Sequence, residues 1–371
     1  MTTSTINPRI DNISESGDSL TFTLSGLNVS LANALRRTIL SDVPTVVFKT
    51  SPIEQCKANI YTNTTRFNNE IIKQRLSCIP VHITDLEIPL KNYLLEVDVE
   101  NTTDTVMYVT TRDFKIKNVD TEEYLPENRI REIFPANMQT GYFIDFIRLR
   151  PRISDEIPGE KIHLTCELSI ATAKDDGMFN VASTCSYGNT VEDVKMDSEL
   201  AKKQQQWKDQ GLTKEEIEFE SVNWKLLDGK RISKKDSFDF VVQTVGVYTN
   251  HELLKKACTI LVDGLQNINN LMETDELEIK VSENTMTNCY DIILENEDYT
   301  FGKVIEYMMY TKFFETEILS YCGFKKMHPH DAYSIVRVAY KDEVDKTVIK
   351  GHLKSSLEDA VQVYEKIKKQ V

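Results

Sequence analysis

No run in this 371-residue chain is apolar over the ~18–20 residues that a membrane helix needs, and Met1 to Asp11 is polar. A membrane-spanning or secreted protein is therefore not expected, and the N-x-S/T sequons at Asn12, Asn28, Asn63 and Asn101 are read as incidental. Basic residues are in deficit: Lys and Arg number 44 against 58 Asp and Glu, a formal charge of −14. Gripping nucleic acid phosphates over a broad face needs the opposite balance. The balance argues against that class for the chain itself, but not for a complex whose other members do the gripping. The seven cysteines are scattered, odd in number and free of any C-x-x-C pair. This is poor arithmetic for disulfides or zinc and points to a reducing, intracellular compartment. Also missing are a G-x-x-x-x-G-K-[ST] phosphate loop, an H-E-x-x-H helix and a G-x-S-x-G elbow, which weakens the case for an enzyme.

What is present is globular material, 40% apolar and 27% charged, enough to bury sizeable cores in two or three domains. The chain is organised around the stretch from Val29 to Pro44. Ser30 is a good N-cap, and Pro44 should stop the helix near Asp42. At about 100° per residue, Leu31, Ala32, Leu35 and Ile39 share one apolar stripe with Ala34 at its edge. Arg37 points away from the stripe and Arg36 borders it. A second copy runs from Thr300 to Tyr310 at a fixed offset. There Thr300 meets Ser30, Phe301 meets Leu31, Gly302 meets Ala32, Val304 meets Ala34, Ile305 meets Leu35 and Met309 meets Ile39, with Met308 beside it.

The flanks correspond as well. Before the first helix come Arg9–Ile13 and Leu20–Leu24, joined by a Ser16-Gly17-Asp18 turn; before the second come Leu277–Val281 and Cys289–Leu294. After the second helix, Tyr333–Tyr340 reads as a strand and His352–Lys369 as a helix with Leu353, Leu357, Ala360, Val361, Tyr364 and Ile367 on one face. The equivalent exit of the first copy is delayed until Phe238–Val247, after which Asn250 caps a helix bearing Leu253, Leu254, Ala257, Leu261, Leu265 and Ile268. The fold class is thus α+β: two strand-strand-helix-strand-helix units, the first interrupted by a mostly β insertion. Residues 1–47 with 238–272 form the first dimerisation subdomain, 48–237 the insertion and 273–371 the second dimerisation domain.

The insertion opens with a helix over Asn68–Cys78, stopped by Ile79-Pro80. Strands are expected over Tyr93–Val99, Val106–Thr111, Tyr142–Leu149 and Lys161–Thr172. Gly177–Thr190 reads as loop, and Val191–Asp209 and Thr213–Leu227 as charged surface helices.

A hairpin carrying one helix is too small to be stable alone. The stripe residues of each short helix represent on the order of 10 kcal/mol gross at ~1.5–3 kcal/mol per buried side chain. The economical arrangement packs the two short helices together about a pseudo-twofold axis, as in an isologous dimer, here at the high effective concentration of one chain.

In this order, these residues resemble the assembly subunits of multi-subunit DNA-directed RNA polymerases. The first half is similar to the third-largest subunit of eukaryotic polymerase II, its archaeal counterpart and the N-terminal domain of bacterial alpha. It does so through Asn28-Val29, Leu31 to Arg37, Val43-Pro44-Thr45, Asn63-Thr64-Thr65, Glu70-Ile71-Ile72, Gln74-Arg75-Leu76 and Ile79-Pro80-Val81. The second half is similar to the eleventh subunit of polymerase II and the archaeal protein equivalent to it, through Glu297 to Gly302, Gly323-Phe324 and His328-Pro329-His330. The resemblance implies a non-catalytic assembly platform, without cofactor. Its partners would be the largest and second-largest polymerase subunits and small platform subunits, with little direct nucleic acid contact and no homodimer. The Asp-rich metal loop of a catalytic subunit is absent.

The resemblance also nominates residues. Asn33, Arg36 and Arg37 would dock the second-largest subunit, since an arginine fork can bond a partner's carboxylates or carbonyls bidentately. Leu31, Ala34, Leu35, Ile39, Phe301, Val304, Ile305, Met308 and Met309 would hold the two halves together. Glu306-Tyr307 stands where the first helix has Arg36-Arg37, so only the first helix would make arginine contacts. Cys166 and Cys185 are isolated, so the metal insertion of many relatives is not expected. Fusion of two normally separate partners is similar to polymerase subunits of large cytoplasmic DNA viruses, implying host cytoplasm and virion; otherwise the nucleus is expected. The rival readings are a metal-dependent hydrolase using His328, His330 and Asp331, and a virion or adaptor scaffold unrelated to transcription.

Overall fold

The computed structural model describes residues 6–154 and 156–371 of the chain. It is a mixed α+β structure whose described residues fall into two compact units. One comprises Met1–Ile39, Thr184–Gln243 and Asn250–Val371, and the other Leu40–Ser183 and Thr244–Thr249.

In chain order, β1 (Arg9–Ser16) and β2 (Ser19–Ser25) lead into α1 (Val29–Ser41) and β3 (Thr45–Val47). Next come β4 (Ala58–Asn63), α2 (Asn69–Ser77), β5 (Tyr93–Glu100), β6 (Met107–Thr110), β7 (Lys115–Asn118) and α3 (Glu127–Ile133). Then follow β8 (Asp145–Leu149), β9 (Lys161–Glu167), β10 (Ser169–Ala171), β11 (Ala182–Val191), α4 (Asp193–Asp209), α5 (Lys214–Leu226) and β12 (Ser233–Thr244). The remainder is α6 (Asn250–Glu273), β13 (Ile279–Val281), β14 (Cys289–Glu295), α7 (Tyr299–Met309), β15 (Leu319–Lys325), β16 (Tyr333–Tyr340) and α8 (Lys346–Lys368).

The first unit contains two four-stranded sheets, ordered β1-β2-β12-β11 and β13-β14-β16-β15. Each is built from two strands, a helix, two more strands and a final helix, and the spatial order is the same in both. Gly17 turns the first hairpin with φ 58°, a conformation glycine adopts without cost. In β2 and β12 the alternate residues Leu20, Phe22, Leu24 and Phe238, Phe240, Val242 pair in register and are all buried, with the Phe22 and Phe240 rings stacked at 5.1 Å. The two final helices, α6 and α8, pack against one another, and α7 lies on α8. Each of these long helices buries an apolar face of about five turns, as α6 does from Leu253 to Met272.

Four expectations need correction here. Gly177–Thr190 is not all loop, for β11 occupies Ala182–Val191 at the sheet edge. Its Ser, Thr, Gly and Asn content hid it, but Cys185 is buried and Tyr187 packs its ring on Phe238 and Phe240. β15, likewise unread in the sequence, and β11 make each repeat one strand longer than expected. α8 starts at Lys346, capped by Asp345, rather than at His352, and runs through the exposed Gly351. On its inner face Val363 is buried, whereas Val361 is half-exposed.

The second unit packs a sheet of order β4-β9-β5-β7 with the pairs β6–β8 and β3–β10 and with α2 and α3. Its core includes Phe48, Ile72, Leu95, Val97, Phe114, Phe134, Phe146 and Leu164. α2 is capped by Asn68, whose side chain accepts from the Ile71 N–H, and it ends before Pro80. Strand pairing explains why the compact units do not coincide with the expected insertion at 48–237. β3 pairs with β10 and so travels with the second unit, while β11 lies beside β12 and brings α4 and α5 into the first.

Candidate functional site

The two short helices begin in the same way, two residues earlier than Ser30 and Thr300 suggest. Asn28 Oδ1 accepts from the Ser30 N–H at 2.9 Å, and Asp298 Oδ1 accepts from the Thr300 N–H at 2.8 Å. The offset that aligns Ser30 with Thr300 also aligns Asn28 with Asp298, so the duplication extends to the capping side chain. In the first copy the cap is neutral; in the second it is a carboxylate at the positive end of a helix.

That carboxylate is where Arg37 goes. Its Nη2 lies 2.7 Å from Asp298 Oδ2, and its Nε–H donates to Thr300 Oγ1 at 2.9 Å. Both partners are about two-thirds buried, with side-chain exposures of 32% and 29%, so solvent screens this pair less than a surface ion pair. Arg37 thereby binds both the cap of α7, Asp298, and Thr300 in its first turn from α1. Arg36 behaves differently. Its Nε–H donates to Asn33 Oδ1 at 2.9 Å, one turn back on the same helix, and no carboxylate among the described residues pairs with it. Its charge lies near Cys185 and Tyr187 of β11, whose groups burial nonetheless pushes up, Cys185 to about 12. Asn33 and Arg36 are therefore a mutually oriented, half-buried polar pair with spare guanidinium donors.

The apolar residues nominated for joining the halves are placed as follows. Leu31, Ala34, Leu35 and Ile39 are buried on α1, and Val304, Ile305, Met308 and Met309 on α7. Phe301 is half-buried and lies against Gly264 of α6 so closely that an added Cβ there would sit 2.3 Å from its ring. Gly302 similarly receives the Phe324 ring of β15, 1.9 Å from where a Cβ would be. The Thr-Phe-Gly and Gly-Phe segments are thus one packing device. Tyr364 of α8, fully buried, donates its hydroxyl to the Leu31 carbonyl at 3.1 Å and ties the last helix to the first. Asp298, Gly264 and Tyr364 were not nominated from sequence. The repeat offset, carried two residues further upstream, points to Asp298; Tyr364 lies on the apolar face read for the last helix, and Gly264 carries no comparable signal.

His328 Nδ1 accepts from the His330 N–H at 3.2 Å, and the Asp331 N–H donates to the His328 carbonyl at 3.1 Å, so this segment is a self-bonded turn. Among the described residues no group of three His, Cys, Asp or Glu is placed to hold a metal ion, and the hydrolase reading finds no support. All seven cysteines are free. Burial pushes the thiols of Cys185, Cys258 and Cys322 up to about 12, far from a reactive thiolate. No helix is long and apolar enough to cross a membrane among the described residues.

Residues 21–265, more than half of the chain, match the RNA polymerase Rpb3/Rpb11 dimerisation domain. The chain is 25% identical over 311 residues to DNA-directed RNA polymerases I and III subunit RPAC1 of Bos taurus, covering 74% of this chain and 86% of that one. It is 26% identical over 280 residues to DNA-directed RNA polymerase subunit Rpo3 of Pyrococcus horikoshii, covering 68% of this chain and 93% of the relative. A 64-residue stretch reaches 47% identity with Rpo3 of Pyrococcus furiosus, 17% of this chain and 22% of the relative. With its α+β units and this match over more than half of its length, the chain belongs to the RNA polymerase Rpb3/Rpb11 dimerisation-domain family, the non-catalytic assembly subunits of DNA-directed RNA polymerase.

Proposed function

We propose that this one chain supplies both halves of the polymerase assembly platform, a role that its resemblance divides between two subunits. The observation that supports this most is the shared strand order of the two sheets, each with its first helix capped at the equivalent residue. The matched segment, 21–265, stops before β13, so the second half is read from its own structure as the partner of the first. The equivalent helices α6 and α8 pack on one another, as self-complementary elements do about a pseudo-twofold axis.

On this platform the arginines divide the work. Arg37 is the in-chain clasp, holding α1 to the cap of α7 in place of a contact between subunits. Asn33 and Arg36 are the docking pair for the second-largest subunit, because Arg36 is oriented yet keeps donors free for a partner's carboxylates or carbonyls. The largest subunit and small platform subunits would bind elsewhere on the chain, and at a formal charge of −14 direct contact with nucleic acid would be slight. The fused arrangement fits a polymerase of a large cytoplasmic DNA virus, working in host cytoplasm and virion. Affinity purification of the tagged chain from its source tests the proposal. It should bring down two very large subunits and template-dependent RNA synthesis. A chain that arrives alone, or with an assembly lacking that activity, refutes it.

A further inference from the structure

The connection between the last two strands of each repeat differs sharply. Between β15 and β16 it is residues 326–332, the His328-Pro329-His330 turn; between β11 and β12 it is the helical hairpin α4–α5. The second sheet forms without such a hairpin, so the fold does not require one. The hairpin packs on itself and on the turn at Gly229–Arg231. Gln204 Nε2 donates to Ser221 Oγ at 2.9 Å, Lys225 pairs with Asp197 at 3.4 Å, and Leu200 and Ile217 are buried between the helices. That inward face of α5 carries Ile217, Ser221 and Trp224, spaced i, i+4 and i+7. On the opposite face, spaced i, i+3 and i+7, stand Phe219, Val222 and Leu226, which are 69%, 56% and 58% exposed. A helix apolar on two opposite faces is built to be covered on both, and the outward face of α5 is exposed. The outward stripe is flanked by acid. Glu215 and Glu218 each sit one turn before a stripe residue, and neither has an ionic partner among the described residues. A hollow beside Phe219 is lined by Leu212, Glu215, Glu216 and Glu220.

We propose that the outward face of α5 docks a cationic amphipathic helix from another protein of the assembled polymerase, its apolar residues on Phe219, Val222 and Leu226 and its Lys or Arg side chains on Glu215 and Glu218. The carboxylates select for that occupant. They repel an anionic membrane surface, and a second copy of the same face would set like charges against each other. The inference rests on the platform reading, since it takes the partner from the same complex.

The test places p-benzoylphenylalanine at position 219 of the tagged full-length chain, purifies the assembled polymerase and irradiates it. One polypeptide should cross-link, and the joined peptide should carry Lys or Arg beside apolar residues at helical spacing. Glu215→Lys with Glu218→Lys should lower adduct yield about tenfold, and Val222→Ser with Leu226→Ser should do likewise, while the large subunits still co-purify. These four positions are exposed, so the substitutions leave the fold intact. No adduct in a complex that contains the large subunits overturns this inference alone. An adduct to a second copy of the chain, or to an acidic segment, also overturns it. Absence of the large subunits overturns the platform reading and this inference together.

Discussion

The two halves of the first unit share a strand order, an equivalent helix cap and a buried stripe, but they differ in three places. The first half accepts the second compact unit after α1 and a helical hairpin between β11 and β12, whereas the second half closes both connections with short segments. The first helix carries Arg36 and Arg37 where the second carries Glu306 and Tyr307. The third difference is Ala32 against Gly302, where one copy packs a methyl group and the other a whole phenyl ring. Core positions are held alike because each half must bury its stripe; connections and polar faces are free to differ, and they carry what distinguishes the two halves.

If the halves are equivalent in the core, emptying them should cost alike. Leu35→Ala and Ile305→Ala should each destabilise the chain by about 2–5 kcal/mol in denaturant melts. A cost below about 1 kcal/mol for either would break the equivalence. The third difference should give unequal results. Gly302→Ala, which drives a methyl group into the Phe324 ring, should cost about 1–3 kcal/mol, against about 1 kcal/mol for Ala32→Gly, an ordinary helix-interior glycine. Equal costs would mean that Phe324 is free to move aside. The arginines should separate in a double-mutant cycle. Arg37→Ala and Asp298→Ala should couple by about 1 kcal/mol in the isolated chain, while Arg36→Ala should change its stability by less than about 0.5 kcal/mol. Coupling between Arg36 and Asp298 as strong as that of Arg37 would cancel the division of labour.

The smallest effect concerns pH. His352 lies on the Phe313 ring at 4.1 Å and shares a hydrogen bond with the Tyr340 hydroxyl at 3.1 Å. Burial, with the Lys312 charge, holds its imidazolium form below the usual 6.5. The unfolded chain therefore binds the proton first. Stability should be complete above pH 6.5 and fall as the pH drops from there towards the folded value. His352→Phe should flatten part of that slope in melts taken from pH 7 to 5. An unchanged profile would assign the slope to other groups, among them His82, which burial shifts the same way.

Much of this architecture was legible in the chain because periodicity survives where one face is buried. All six stripe residues read on α6 are buried, and α2 starts and stops at Asn68 and Pro80 as its capping chemistry dictates. What escaped was edge structure and partnership. β11 and β15 are edge strands whose polar or mixed composition answers to only one neighbour. The pairing of α6 with α8 depends on length and packing rather than pattern. At the candidate site, the identity of Arg37 was plain but its partner was not, because Asp298 lies across the fold in the other half. The α5 face looked like ordinary charged surface, since its two apolar stripes are opposed and leave no single amphipathic side.

Native mass spectrometry of the polymerase purified through this chain tests the central claim most directly. One copy of the chain with one largest and one second-largest subunit, and no other dimerisation-domain protein in the complex, is the predicted composition. Two copies of the chain, or one copy joined by a separate partner resembling its second half, would contradict it.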